Sequence, residues 1–279
     1  MQLVVTQALS VSLITGILIV WFQISRRLIL GRQLIAYEPR ASVPWNGLDM
    51  LLLFFLWPWF DGMAIKLSGS TFGEMRGEIS ARTMAAISVG RVAWVVAALI
   101  YLVLRSGRRP HDFGFDLGRL AGDVRLGLAA FFAALLPVFG TQALVSHWIE
   151  PPLHPLVKAI REDPTAVQFV LAIFSAVLVA PLAEEFLFRV VLQGWLEKQM
   201  PKLRRRAGPK VRLVSRMLPI LGSSALFAAL HEGANRPALF VLAVFLGFLY
   251  RQTHRIAPCV VLHVAINSVT MIGLLLGTR

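Results

Sequence analysis

Apolar residues are grouped into long runs along the chain, and polar residues are concentrated between those runs. Eight runs can be placed, and most of them are long enough to cross a hydrocarbon core of about 30 Å as a helix. The pattern therefore predicts an all-α fold, a polytopic helical membrane bundle of about eight transmembrane helices. The runs cover approximately residues 4–22, 48–60, 83–104, 126–148, 166–197, 214–231, 237–252 and 257–276.

The first two runs need separate interpretation. Run 4–22 is longer than a signal-peptide core and no clear cleavage site follows it, so it predicts a retained first span. Run 48–60 is short, begins near Asp49 and contains Pro58, which predicts a tilted, broken or partly interfacial helix.

Composition agrees with a membrane protein. The 279 residues are 57% hydrophobic and 15% charged, with a mean hydropathy of +0.69, far from the usual range of soluble domains. The runs leave no room for a separate soluble domain, so residues 1–279 are predicted to form a single membrane domain. The single cysteine, Cys259, excludes an intramolecular disulfide.

The net charge of +13 arises mainly from arginines in short loops. These loops alternate in basicity, and with eight spans every strongly basic loop falls on one side, which the positive-inside rule makes cytoplasmic, with both termini outside. This favours topology over nucleic-acid binding as the reason for the charge. A multi-pass protein of a bacterial inner membrane fits, although the endoplasmic reticulum fits the same features. The cluster 202–206 also suits anionic lipid head groups.

Three charged residues interrupt the apolar run Val170–Leu196: Glu184, Glu185 and Arg189. Insertion scales assign about 2.5 to 3.5 kcal/mol to each charge at the centre of a membrane helix, so such residues are expected to be functional. Glu185 and Arg189 are four residues apart and can form an ion pair, whereas Glu184 points about 100° away. Pro181 is expected to bend the helix one turn before the acids.

Two later runs carry further pairs at a spacing of four residues: Phe227 with His231, and His263 with Asn267. Each pair alone is also explained by a hydrogen bond between helices. Together with Glu184, they supply what amide hydrolysis needs, which is a base for water and donors for a developing oxyanion. The set therefore favours a hydrolytic site.

In this order and setting, the three motifs resemble those of the CPBP family of intramembrane proteases, which includes the CAAX prenyl endopeptidases and the bacterial ABI proteins. The motifs are Glu184-Glu185-x-x-x-Arg189, Phe227-x-x-x-His231 and His263-x-x-x-Asn267. The resemblance implies an intramembrane endopeptidase, with a catalytic core over residues 166–276 and a peptide or membrane-protein substrate that is prenylated in some members.

The resemblance also implies roles for the site residues. Glu184 would activate water with help from His231, and His263 and Asn267 would hold the oxyanion. Glu185 and Arg189, together with Phe227, would orient the site. The residues themselves favour a mechanism without a cofactor, with zinc as the alternative, because no His-Glu-x-x-His helix is present and Asn267 suits an oxyanion donor better than a zinc ligand. Counting from the predicted helix ends puts Glu184 about 20 Å deep and His263 about 9 Å deep, so tilt, a bend or different helix ends must bring them together.

Three alternatives remain open at this stage. Glu184, His231 and His263 have the ligand types of a catalytic zinc site. Cys259, one turn before His263, is a conceivable nucleophile, although a packed small residue explains it as well. A non-enzymatic immunity or scaffold protein would keep the fold and use the polar groups for structure.

Overall fold

A computed structural model describes residues 2–70, 80–149, 166–204, 209–231 and 233–276. Within these ranges the chain forms helices and no strands, which confirms the predicted all-α fold. Seven of the helices are continuous α-helices: α1 (Gln2–Ile29), α2 (Gly47–Leu67), α3 (Ala81–Ser106), α4 (Leu120–Ser146), α6 (Pro209–Ala229), α7 (Arg236–Thr253) and α8 (Ala257–Leu276).

The remaining long helix, α5, alternates between α- and π-helical geometry. Its consecutive pieces are Ala166–Ile173 (α), Phe174–Val179 (π), Ala180–Glu185 (α), Phe186–Gln193 (π) and Gly194–Arg204 (α). The predicted helix start at Asp163-Pro164 lies outside the described residues.

In the described part of the chain, six helices are long and apolar enough to cross a membrane, and two shorter apolar helices, Val214–Ala229 and Ala257–Gly273, bring the number to eight. The expectation of a short or broken second helix was wrong. α2 continues through Pro58 to 21 residues, because Asn46 caps its first turn and the apolar run resumes after Asp61. α4 begins six residues before the predicted start at 126, so Asp123 lies within it.

Arg91, a charged residue within the apolar helix α3, forms an ion pair with Asp61 of α2. Its Nε lies 3.5 Å from Asp61 Oδ2, and its guanidinium lies over the Trp57 ring at 5.6 Å. The indole of Trp57 donates to the same carboxylate oxygen at 3.1 Å. Asp61 lies just beyond the predicted run 48–60 but within α2, and it gives Arg91 a partner inside the helical bundle.

The centre of the bundle is the second half of α5. Every residue from Glu185 to Gly194 is buried. Because no face of this stretch meets solvent, apolar residues occur on all of its sides. α7 packs between α4 and α6, and α8 packs along α4. The core therefore surrounds the helix that carries the two acids.

The α1–α2 segment, residues 30–46, lies against the C-terminal part of α5, after the buried stretch. The Trp45 indole donates to the carbonyl of Val191 at 2.9 Å, and Lys198 Nζ donates to the carbonyl of Trp45 at 2.7 Å. Arg40 donates to the Tyr250 hydroxyl on α7 at 2.6 Å. This segment therefore ties α5 and α7 together at one end of the bundle.

Candidate active site

Glu185 and Arg189 form a fully buried ion pair on α5. Arg189 Nε donates to Glu185 Oε2 at 3.0 Å, and neither side chain is exposed. The two residues are four apart, about one helical turn, and the pair lies where the helix changes from α to π geometry at Phe186. Burial without a partner would be costly for either charge, so each stabilises the other.

His263 of α8 lies between the two acids of α5. Its Nδ1 is 2.9 Å from Glu185 Oε1, and its Nε2 is 3.7 Å from Glu184 Oε2. An ionised Glu185 can only accept, so the proton of this bond belongs to Nδ1. The carboxylate of Glu185 thus uses one oxygen for Arg189 and the other for His263, and it orients the imidazole toward Glu184.

Glu184 is the accessible member of the acid pair. Its side chain is 14% exposed, whereas the side chain of Glu185 is 0% exposed. The 3.7 Å separation from His263 Nε2 is too long for a direct hydrogen bond. The two groups therefore face each other at the distance of an ion pair, without a direct hydrogen bond between them.

Phe227 of α6 is the aromatic centre of the site. Its ring meets the His263 ring edge-on at 5.9 Å, lies 4.6 Å from the His231 ring and accepts the Arg189 guanidinium over its face at 5.6 Å. It is fully buried. A large ring at this position keeps the three charged or polar groups at fixed separations.

His231 lies just beyond the end of α6, which stops at Ala229 and not at the predicted residue 231. Its Nδ1 is 2.7 Å from the carbonyl of Phe227, and its ring is half-buried. Among the described residues, His231 makes no ion pair with Glu184. The structure thus joins His231 to the site through Phe227, and it places His263 beside Glu184.

Asn267 donates to a backbone carbonyl of α5. Its Nδ2 lies 2.9 Å from Ala176 O. At the end of the first π-helical piece, Ala180 N–H donates five residues back to Ser175 O, and in the same pattern the N–H of residue 181 would donate to Ala176 O. Pro181 has no N–H, so the amide of Asn267 replaces the missing donor. One amide hydrogen of Asn267 remains for another partner.

Two residues of the buried network escaped the sequence analysis, Ser223 and Gln193. Arg189 Nη1 donates to Ser223 Oγ at 3.0 Å, and Ser223 Oγ lies 3.3 Å from Gln193 Oε1. The available signal was the continuing spacing of four: Glu185, Arg189, Gln193 and Glu197 place one polar residue on each turn of an otherwise apolar helix.

The structure brings the acids and His263 into one site although their predicted depths differed by about 11 Å. The counting assumed helices that end at one height. In fact α5 continues to residue 204, well past the predicted end at 197, and two of its pieces are π-helical, so depth along α5 and along α8 cannot be counted from the same level.

The predicted zinc ligands do not form a three-ligand set. In the part of the chain that the structure describes, no three His, Cys, Asp or Glu side chains converge closely enough to hold a metal ion. Glu184 and His263 face each other, but Nδ1 of His231 lies against the carbonyl of Phe227. The side chains available at the site are therefore two acids, an imidazole pair, a guanidinium and an amide.

Cys259 packs as a small apolar residue. It is fully buried, and its Sγ lies 3.5 Å from the carbonyl of Leu246 on α7. This is the placement that the packing explanation predicted. The thiol contacts backbone, in contrast to a nucleophile that must reach a substrate.

The comparisons with known proteins agree with the motif resemblance. Residues 166–269 match the family model described as type II CAAX prenyl endopeptidase Rce1-like. No curated protein and no solved structure matches the chain. The matched range contains α5, α6, α7 and most of α8, and it includes all three motifs. With its apolar helices, the chain is an integral multi-pass membrane protein, and residues 166–269 are similar to the Rce1-like family, which confirms the resemblance predicted from the motifs.

Proposed function

We propose that this protein is an intramembrane endopeptidase in which Glu184 activates water to hydrolyse a peptide bond. The observation that carries the proposal is the arrangement of the two acids around His263. Glu185, fully buried and paired with Arg189, holds one side of the imidazole, and the partly accessible Glu184 faces the other side. Both oxygens of Glu185 already have partners, so Glu184 is the acid that is available for chemistry.

In the proposed reaction, water binds between Glu184 and the scissile carbonyl. Glu184 removes a proton from the water as its oxygen attacks the carbonyl carbon, and the carbonyl oxygen becomes negative. His263, protonated on both nitrogens, donates Nε2–H to this oxygen, and the free amide hydrogen of Asn267 donates as well. The proton on Glu184 then passes to the leaving amine as the C–N bond breaks, so two peptide fragments result.

His231 has a secondary part in this proposal. Its Nδ1 is engaged by the Phe227 carbonyl at 2.7 Å, which leaves Nε2 as the nitrogen that can assist Glu184 or the substrate. Phe227, Glu185 and Arg189 act as orienting residues. Phe227 contacts both imidazole rings and Glu185 bonds to His263, while Arg189 contacts Glu185 and Phe227.

The family match implies a peptide or protein substrate, and the description of the family suggests its class. We propose a CAAX-type substrate, a peptide with a prenylated cysteine near its C-terminus. A prenylated segment partitions into lipid and would reach a site built within the helical bundle from the membrane side. We also propose that the basic loops face the cytoplasm of a bacterial cell and contact anionic lipid.

The testing experiment is turnover of a peptide panel by purified protein in liposomes. The panel pairs each prenylated CAAX-type peptide with its unprenylated counterpart, and each assay is run with and without a chelator. The wild type is compared with Glu184→Gln and with Gln142→Leu, a matched control on α4. We expect cleavage of prenylated peptides by the wild type and the control, retained in chelator and lost in Glu184→Gln.

Each other outcome contradicts a specific part of the proposal. Loss of activity in chelator, with stoichiometric zinc in the purified protein, would replace the glutamate mechanism by a metal-dependent one. Equal cleavage of both peptide classes would remove the prenyl group from the substrate. No cleavage by well-folded wild type, with normal cellular function of Glu184→Gln, would favour the non-enzymatic scaffold.

A further inference from the structure

The buried polar network continues from the site along α5, beyond the residues that the three motifs contain. The polar stripe, defined as Glu185, Arg189, Gln193 and Glu197, follows one face of α5 through the core. Its first pair belongs to the site described above, and its third member, Gln193, is fully buried. A fully buried glutamine needs partners for its carbonyl and for both amide hydrogens.

The amide group of Gln193 is held in one orientation. Its Nε2 donates to Gly247 O on α7 at 2.9 Å and to Glu197 Oε1 at 3.1 Å, so both hydrogens meet acceptors. Rotating the amide by 180° would place its oxygen against those two acceptors. The partners therefore fix Oε1 on the opposite side, where it faces Ser223 of α6 at 3.3 Å.

Ser223 passes this orientation on to Arg189. Its hydroxyl accepts from Arg189 Nη1 at 3.0 Å, so its own hydrogen points away, toward Gln193 Oε1 or Ile220 O, each at 3.3 Å. Among the described residues, Arg189 Nη2 has no hydrogen-bond partner. The guanidinium is thus held through hydrogen bonds to Glu185 and Ser223, and losing either would free it to turn.

The packing around Gln193 leaves no room for a looser arrangement. A Cβ on residue 247 would lie 3.0 Å from Gln193 Oε1 and 3.0 Å from Ile220 Cγ2, which is tighter than ordinary contact. Glycine at this position lets α7 approach closely enough for its carbonyl to bind the amide. Three helices therefore meet at Gln193.

We infer that Gln193 is a positioning residue for the proposed hydrolysis, acting through Ser223 and Arg189 on the Glu185–His263 pair. The inference rests on the proposed function. It assigns Gln193 no contact with substrate. Its effect is to keep the imidazole of His263 aimed at Glu184, so removing it should disturb the chemical step and leave substrate binding intact.

The test compares Gln193→Met, similar in length but without the amide, with Ser223→Ala, the double variant and the control Gln142→Leu. We expect each single variant to lower kcat about tenfold with KM within about twofold, because a small misorientation of a catalytic group has a large effect on rate. The double variant should lose no more than the larger single loss, since both act through Arg189. The inference would be overturned if the losses of kcat in the two single variants multiplied in the double variant, or if only KM changed.

A readout without turnover separates this inference from the proposed function. The ¹⁵N ring signals of His263, assigned with a His263→Ala variant, report its hydrogen bond to Glu185. Measured at temperatures where both variants are folded, these signals should shift in Gln193→Met and in Ser223→Ala, and they should stay unchanged in Gln142→Leu. Unchanged signals in both variants would overturn the inference, whether or not the wild type cleaves any peptide.

Discussion

At the scale of the residue, the two adjacent glutamates have opposite environments. Glu185 is fully buried with two charged or polar partners, whereas Glu184 retains some exposure and faces an imidazole beyond hydrogen-bond distance. A difference of one position in the helix, about 100°, is enough to separate a fully paired acid from a partly accessible one. The spacing of charges in the sequence predicted the pairing of Glu185 with Arg189, and the proposed mechanism assigns the reacting role to Glu184.

Removal of Arg189 should destabilise the protein strongly. Arg189→Met leaves Glu185 as a buried acid with only His263 as partner, and breaking such a pair costs about 3–5 kcal/mol. We expect a clear fall in the thermal midpoint of the detergent-solubilised protein. Arg119→Met, which removes an exposed pair with Glu38, should change the midpoint little. Equal midpoints for the two variants would contradict the buried pair.

The partners of His263 were beyond sequence reasoning for a physical reason. The spacing of four residues predicts which side chains share one helix face, but it does not say which face meets which neighbour. The resemblance assigned His231 as the helper of Glu184, and the structure places His263 nearest to that acid. Ser223 carried no distinctive signal because it is a small residue beside a glycine, whereas Gln193 continued the spacing of four from Glu185 and Arg189, although that spacing does not name its partners on other helices.

At the scale of the element, α5 departs from a regular helix on both sides of the acids. Pro181 in the sequence predicted a disturbance there, and the structure has two π-helical pieces, Phe174–Val179 and Phe186–Gln193. Such segments often occur at functional sites. The sequence cannot specify a π turn, because the extra residue is accommodated by partners elsewhere in the fold, such as Trp45 of the α1–α2 segment, which donates to the Val191 carbonyl.

The link between Pro181 and Asn267 gives a prediction by double-mutant cycle. Asn267→Ala should cost about 1–3 kcal/mol, because the buried Ala176 carbonyl loses its donor. In a Pro181→Ala background, the new backbone N–H can supply that donor, so the same substitution should cost much less. Unfolding of all four proteins in detergent measures the coupling. Additive effects would show that Asn267 does not replace the proline's missing hydrogen.

At the scale of the whole molecule, the number of helices followed from the apolar runs because each membrane span must be long and apolar to satisfy its backbone. Their ends did not follow, since polar residues such as Asp61 and Asp123 lie inside helices, where partners on neighbouring elements balance them. Arg255, in the connection between α7 and α8, bonds to Asp123 and also to Glu38, so this connection, α4 and the α1–α2 segment are joined at one end.

The topology is testable because the native cysteine, Cys259, is fully buried. Arg109→Cys places a thiol in the basic loop after α3, and Ser68→Cys places one after α2, at the opposite end of the helix pair. A membrane-impermeant maleimide added to intact cells should label Ser68→Cys, while Arg109→Cys reacts after permeabilisation. The parent chain, unlabelled in both conditions, is the control. The reverse pattern would contradict the proposed orientation.

The most direct test of the central claim is kcat of Glu184→Gln, relative to wild type, on the best peptide of the panel. The account predicts a loss of at least about 100-fold, as expected when a general base is removed, with an unchanged thermal midpoint. Glu185→Gln, in contrast, should lose stability as well as activity. A folded Glu184→Gln protein that keeps its kcat within a few-fold of wild type would contradict the assignment of Glu184 as the base.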